Sequence, residues 1–290
     1  MATTTQAQRG AVLITGAAGG IGATAARRLD ALGFQVFAGV RSSSDGEKLQ
    51  RDARITPILL DITDPTSIAT AVETITRTVG SAGLVGLINN AGFIVEGPVE
   101  LVPIAEVRKQ FEVNVIGHIA VTQAFLPLLR KVRGRIINIG APTGQVSMPY
   151  LGILSASKAA LAFFTDALRV ELRPWGMAVS IINPMAMQTK IFEKSGASAQ
   201  QARQQFSSQQ QQLYASALAA LSKAQATQHM DDPEVVVTAI VHALTASRPK
   251  TRYAVGQGAG MIGVLRLLPD RVRDNLLLRA FGLANIQPVS

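Results

Sequence analysis

Short apolar runs alternate with longer stretches of helical periodicity along this 290-residue chain, and a parallel sheet covered by helices is the arrangement that buries such a pattern. Strands are expected at 11–15, 34–40, 55–60, 84–88, 135–139 and 178–182, and helices at 21–32, 65–79, 104–131 and 155–173. The strand segments are rich in Val, Ile and Leu without strict alternation, as strands buried on both faces are. A doubly wound α/β architecture follows. No Pro/Gly/Ser-rich linker divides the chain, so a single domain is expected over 11–258. A polar tail at 1–10 precedes it and an amphipathic segment at 259–290 follows it.

The first strand runs into Thr15-Gly16-Ala17-Ala18-Gly19-Gly20-Ile21-Gly22 and then a helix. Glycines there let the turn tighten and let backbone approach a pyrophosphate, which would lie against the unpaired N–H groups of the helix start. Gly16, Ala18, Gly19, Gly20, Ile21 and Gly22 are therefore candidate dinucleotide-binding residues. At the end of the second strand, Phe37 to Val40 offer no carboxylate for an adenosine ribose, whereas Arg41 can pair with a 2′-phosphate. NADP(H) is favoured over NAD on that ground.

Composition excludes several chemistries. With no cysteine, disulfides, thiolate metal sites and cysteine nucleophiles are ruled out together. His118, His229 and His242 are too scattered to suggest metal ligation, and no metal is expected. The net charge is +9, yet only 16% of residues are charged and no Lys/Arg run suggests nucleic-acid binding. The first ten residues lack the apolar centre of a leader peptide, and no uninterrupted apolar run approaches the ~18 residues of a membrane span. A soluble, cytoplasmic protein is the expectation.

Further motifs follow in order: Asp61 after the third strand, Asn89-Asn90-Ala91-Gly92 after the fourth, Asn114, and Ser155-Ala156-Ser157-Lys158. Together with the glycine turn, their order and spacing resemble the short-chain dehydrogenase/reductase family over roughly residues 11–255. The resemblance implies a Rossmann-type sheet of about seven strands, with 253–255 as the last. It also implies that Asp61 and Ile62 contact adenine, that Asn90, Ala91, Gly92 and Pro184 line the cofactor cleft, and that Thr189 reaches the cofactor carboxamide. A homodimer or homotetramer, paired through the helices at 104–131 and 155–173, is likewise implied.

In that family a tyrosine four residues before the lysine exchanges the substrate proton, and a serine thirteen residues before the tyrosine holds the carbonyl oxygen. The lysine lowers the tyrosine's pKa and binds ribose, and an asparagine orders a water relay. Lys158 and Asn114 match, but Leu154 stands at the tyrosine position and Ala141 at the serine position. Met185 replaces a usual glycine after Pro184. A positioned acid supplies ~10²–10⁴ in rate and an oxyanion donor on the order of 10²–10³, so ordinary carbonyl reduction would be slow without a substitute. Candidate substitutes are Tyr150, Ser147, Ser155 and Lys158. Ser155 points about 100° away from Leu154 on the helix, Tyr150 can also be an aromatic packed beneath a lid, and desolvation in an apolar cleft should lower the Lys158 pKa.

Three functions are compatible with these residues. One is an NADP(H)-dependent oxidoreductase with a relocated acid, or with a substrate such as an enone or iminium that needs little proton help. Another is a non-redox isomerase or cyclase. The third is a catalytically silent cofactor-binding partner protein. The Gln/Ala-rich stretch at 195–228 reads as a helical lid over a bulky hydrophobic substrate, and Asp231-Asp232-Pro233-Glu234 as a helix start. Residues 261–281 interleave apolar positions with arginines around Pro269. Such a segment can pack over the substrate mouth or a partner subunit, or make peripheral contact with an anionic membrane.

Overall fold

The computed structural model describes residues 9–50, 54–204 and 206–286; the tail expected at 1–10 lies mostly outside them. Seven strands form one parallel sheet in the order β3-β2-β1-β4-β5-β6-β7. They are β1 (Ala11–Ile14), β2 (Gln35–Val40), β3 (Thr56–Leu59), β4 (Leu84–Asn89), β5 (Arg135–Ile139), β6 (Val179–Pro184) and β7 (Arg252–Val255). The order reverses between β1 and β4, where a crevice opens at the strands' C-terminal ends.

Alternate strand residues feed two cores. On one face Val12, Ile14, Val36, Ile88 and Ile137 pack against helices α1 (Gly20–Ala31), α2 (Ser43–Gln50) and α9 (Glu234–Thr245). On the other, Leu13, Phe37, Leu87 and Ile136 meet α3 (Pro65–Val79), α5 (His118–Lys131) and α6 (Gly152–Glu171). Asp64 caps α3 by accepting from the Thr66 N–H, with Pro65 in the first turn where its missing donor costs nothing.

The helix expected at 104–131 is present with those bounds, and it carries one local departure from α-helical geometry. It is α4 (Ile104–Phe111), a π-helical turn at Glu112–Gly117, and then α5. Periodicity cannot reveal one extra residue in a turn, and π-turns concentrate at functional sites. By length and hydropathy Ile104–Lys131 could cross a membrane, but half of its most apolar window is buried within the protein, as in a core helix. Helix α2 was not anticipated from the apolar pattern, although its N-terminal signal is present: the Ser42 hydroxyl accepts from the Asp45 N–H and donates to the Asp45 carboxylate.

The segment at 195–228 contributes to two helices, α7 (Lys190–Arg203) and α8 (Ser208–Ala226), the second opened by a capping box between Ser207 and Gln210. Helix α8 is tied to the loop after β4: the Tyr214 hydroxyl donates to Glu100 at 2.5 Å and the Gln225 amide to Glu96 at 3.3 Å. The C-terminal segment forms α10 (Ala259–Leu267) and α11 (Asp270–Ala280), separated at Pro269. Ile262 and Leu277 bury themselves against Val146, with Met148 and Met185 alongside, while Met261, Val264 and Leu267 are exposed.

Candidate functional site

The glycine turn after β1 has the shape that its residues predict. A side chain at Gly22 would lie 2.4 Å from the Gly16 carbonyl and 2.7 Å from the Asn90 amide, so only glycine fits there. Gly20 has a φ of +52° and lies so close to Thr189 that a Cβ would sit 2.9 Å from its methyl. At Gly19, by contrast, a Cβ would meet nothing within 4 Å, and Gly16, Ala18 and Gly19 are exposed. The turn is thus packed tightly behind and open in front, and α1 starts at its edge. These residues fit a dinucleotide pyrophosphate.

Residues after β4 are held against this turn by a polar frame. The Thr15 hydroxyl accepts from the N–H groups of Asn90 and Ala91, and the Asn90 amide donates to the carbonyls of Thr15 and Gly16. Asn114, buried in the π-turn, bonds both backbone groups of Phe93, at 3.2 and 3.0 Å. Gln110 bonds the Val95 N–H and the Phe93 carbonyl. Gln110 is a positioning residue absent from the motifs above, and Thr15 and His118, named there for other reasons, take positioning roles as well. Their only sequence signal is a polar residue on an otherwise apolar element.

His118 is fully buried, and its Nε2 lies 2.6 Å from the Ala91 carbonyl. That carbonyl can only accept, so Nε2 carries the proton and Nδ1 is an acceptor, which has no partner. Desolvation, then the nearby Lys158 charge, lowers the His118 pKa from 6.5 to about 3. Between those values the unfolded chain binds a proton that the folded chain does not, so stability rises with pH across the window. His118 therefore favours folding above pH 6.5 and loses that contribution as pH falls toward 3. Urea unfolding between pH 7 and pH 4 should show a drop for the natural chain, of up to about 1.4 kcal/mol per pH unit for one proton. The His118→Gln variant should lose less over the same range, and equal slopes would refute the assignment.

Along the same edge of the sheet, Arg41 is exposed just beyond β2 and Asp61 follows β3. The Thr63 N–H lowers the Asp61 pKa most, helped by the Thr63 hydroxyl and Arg41 and opposed by burial. Arg41 and Asp61 thus share one corner of the crevice. The Ile62 side chain is buried against Gly117, where a Cβ would come within 2.8 Å of it.

Lys158 lies on α6 one turn after Leu154 and is 9% exposed. Its Nζ donates to the Ile139 carbonyl at the end of β5, at 2.8 Å. Burial lowers its pKa to about 8. Ala141 follows β5 in extended backbone, and the turn Pro142–Gly144 presses on α6, with Gly144 against the Lys158 backbone. Leu154 is itself buried. The turn that follows Ala141 thus packs on α6 at Lys158, and the side chains at 141 and 154 are both hydrocarbon.

Tyr150 has a φ of +61°, and its carbonyl accepts from the Gly97 N–H. Burial raises its pKa, and the ring is near enough to Tyr214 to oppose that residue's ionisation. Tyr150 is thus placed near Tyr214 of α8. Ser155 is buried, and its hydroxyl has no partner among the described residues. Pro184 ends β6, and Met185 joins the cluster under α10 and α11. A small cleft of about 160 Å³ opens there, lined by Pro142, Gln145, Asn183, Met185 and Ile262 among others. No cluster of potential metal ligands occurs among the described residues.

The family model for short chain dehydrogenase matches residues 10–200. The 11-beta-hydroxysteroid dehydrogenase type 2 of Homo sapiens is 36% identical over 299 aligned positions, covering 96% of this chain and 72% of that protein. Retinol dehydrogenase 7 of Mus musculus is 34% identical, covering 92% of this chain and 87% of its own length. A short chain dehydrogenase from Burkholderia cenocepacia, solved in complex with NADP, superposes with a TM-score of 0.71 at 25% identity, over 92% of this chain and 97% of that one.

Proposed function

Because the chain belongs to the short-chain dehydrogenase/reductase family, whose members bind NAD(P), we propose that it is an NADP(H)-dependent oxidoreductase acting on a bulky, apolar alcohol or carbonyl, with Lys158 as its proton donor. The observation that carries this reading is the glycine turn, closed behind by Gly22 and Asn90 and open in front at Gly19. A protein that had given up its cofactor would have no need to keep that shape. Asn90, Thr189 and Lys158 would hold the dinucleotide, which supplies or accepts the hydride. Arg41 favours the 2′-phosphate form, as does the NADP bound to the Burkholderia relative.

The chain's own residues must do the rest. Leu154 and Ala141 exclude water from the reacting carbon and leave the Lys158 ammonium as the best-placed proton donor. At neutral pH a group titrating near 8 is mostly protonated yet able to give its proton up. An apolar substrate is supported by those two side chains, by α8 above the loop after β4, and by relatives named for hydroxysteroids and retinol. Hydride transfer to a substrate needing little proton help remains compatible with the same side chains.

The direct test follows NADPH and NADH oxidation with hydroxysteroid-type ketones, retinaldehyde, enones and imines. Turnover with apolar carbonyls and NADPH, and a preference for NADPH that is lost in Arg41→Ala, is the expected result. Tight NADPH binding without turnover on any of them would overturn the oxidoreductase reading in favour of a silent cofactor-binding protein.

A further inference from the structure

The N-terminal ends of β5 and β6 face away from the crevice, and between them the surface dips into a cleft of about 460 Å³ lined by Arg130, Lys131, Arg133, Arg173, Pro174, Trp175 and Gly176. Strands of five or six residues separate it from the glycine turn by roughly 17 Å. Three arginines and one lysine line it. None of the four pairs with a carboxylate among the described residues.

Helix termini account for part of this charge. Arg130 and Lys131 occupy the last turn of α5, where cations offset the helix dipole, and the Lys131 ammonium also donates to the Gly80 carbonyl. The remainder is unexplained by that effect. Arg133 sits in left-handed backbone at φ +53°, a conformation costly for an arginine, and its side chain passes over Gly176. Arg130 stacks 5.1 Å above the Trp175 ring, which fixes one guanidinium in place while half of the indole is exposed. Like charges gathered at this density repel one another until an anion joins them.

We infer that this cleft is a second ligand site, separate from the dinucleotide crevice, for a compact soluble anion carrying a diphosphate group. Guanidinium groups from two loops match phosphate oxygens by paired hydrogen bonds, and a charge of about −3 balances Arg130, Arg133 and Arg173. The volume is that of a small-molecule site rather than a groove for a chain.

Trp175 is the chain's single tryptophan, so its emission reads this cleft directly. Inorganic pyrophosphate is titrated into the full-length protein held in saturating NADP⁺, which occupies the glycine turn, while Trp175 fluorescence is followed. A saturable change is expected, weakened about ten-fold or more in the Arg133→Asn/Arg173→Gln variant, with NADP⁺ affinity unchanged. Asn tolerates the left-handed backbone, which guards against misfolding at position 133. No saturable change, an equal response in the variant, or a response reproduced by sodium chloride at matched ionic strength would each overturn the site. A response to phosphatidylcholine vesicles containing phosphatidic acid but not to pyrophosphate would overturn the soluble ligand and assign the cleft to a lipid surface.

Discussion

Placing a serine at 141 and a tyrosine at 154, in an Ala141→Ser/Leu154→Tyr variant, should raise carbonyl reduction by about 10²-fold while leaving the KM for NADPH unchanged. Ala141 stands in extended backbone at the end of β5, and Leu154 is one helical turn before Lys158. A phenol at 154 would lie beside an ammonium already poised near 8, whose charge favours phenolate and so lowers the tyrosine's pKa. The gain should fall short of the ~10²–10⁴ that a general acid can supply, because Lys158 already covers part of that role. Leu154→Tyr alone should recover most of the increase. Ala141→Ser alone should recover little, since a hydroxyl that holds the carbonyl oxygen does not provide a proton to it. Steady-state rates for the three variants decide the matter. A slower double variant with unchanged cofactor binding would show that the apolar side chains themselves serve the natural substrate, and that proton supply is not limiting.

What the chain discloses before folding depends on how locally each feature is encoded. The glycine turn is legible because strand, turn and helix are contiguous, and Gly22 answers to Gly16 six residues earlier. The Pro269 break is equally local, with α10 ending at Leu267 and α11 starting at Asp270. Asn114 is legible as a residue but not in its geometry. The π-turn that aims it at Phe93 inserts one residue without any periodic mark. His118, Gln110 and Thr15 are illegible for a different reason. Their partners lie 15 to 76 residues away and exist only once β1, β4, α4 and α5 are side by side. Helix α2 shows the opposite failure, since Ser42 and Asp45 spell its start while a weak apolar pattern conceals its body.

Met185 shows how the same residue reads differently in sequence and in space. From the chain it adds bulk beside Pro184 and threatens the crevice. In the fold it joins Val146, Met148, Ile262 and Leu277 beneath α10 and α11. The C-terminal helices thus give the substitution a packing role, and loss of those helices would expose Met185 along with the small cleft it lines.

Replacing Lys158 with methionine should lower kcat for carbonyl reduction by about 10²–10⁴, the largest loss expected from one side chain here. A pH profile separates proton donation from ribose binding. If Lys158 donates the proton, reduction by the natural enzyme should be level below about pH 8 and fall roughly ten-fold per unit above it, as the ammonium is lost. The reverse oxidation needs the neutral amine and should climb toward the same value. Lys158→Arg keeps a cation and hydrogen-bond donors for ribose but cannot deprotonate in this range. It should therefore bind NADPH with near-normal affinity while losing both the rate and the break near pH 8. Retained rate in Lys158→Arg with an unmoved break would reduce Lys158 to a ribose ligand, and the proton would then have to come from solvent or from the substrate itself. The Ile139 carbonyl, which holds Nζ at 2.8 Å, is compatible with the donor role, because it engages only one of the three ammonium protons.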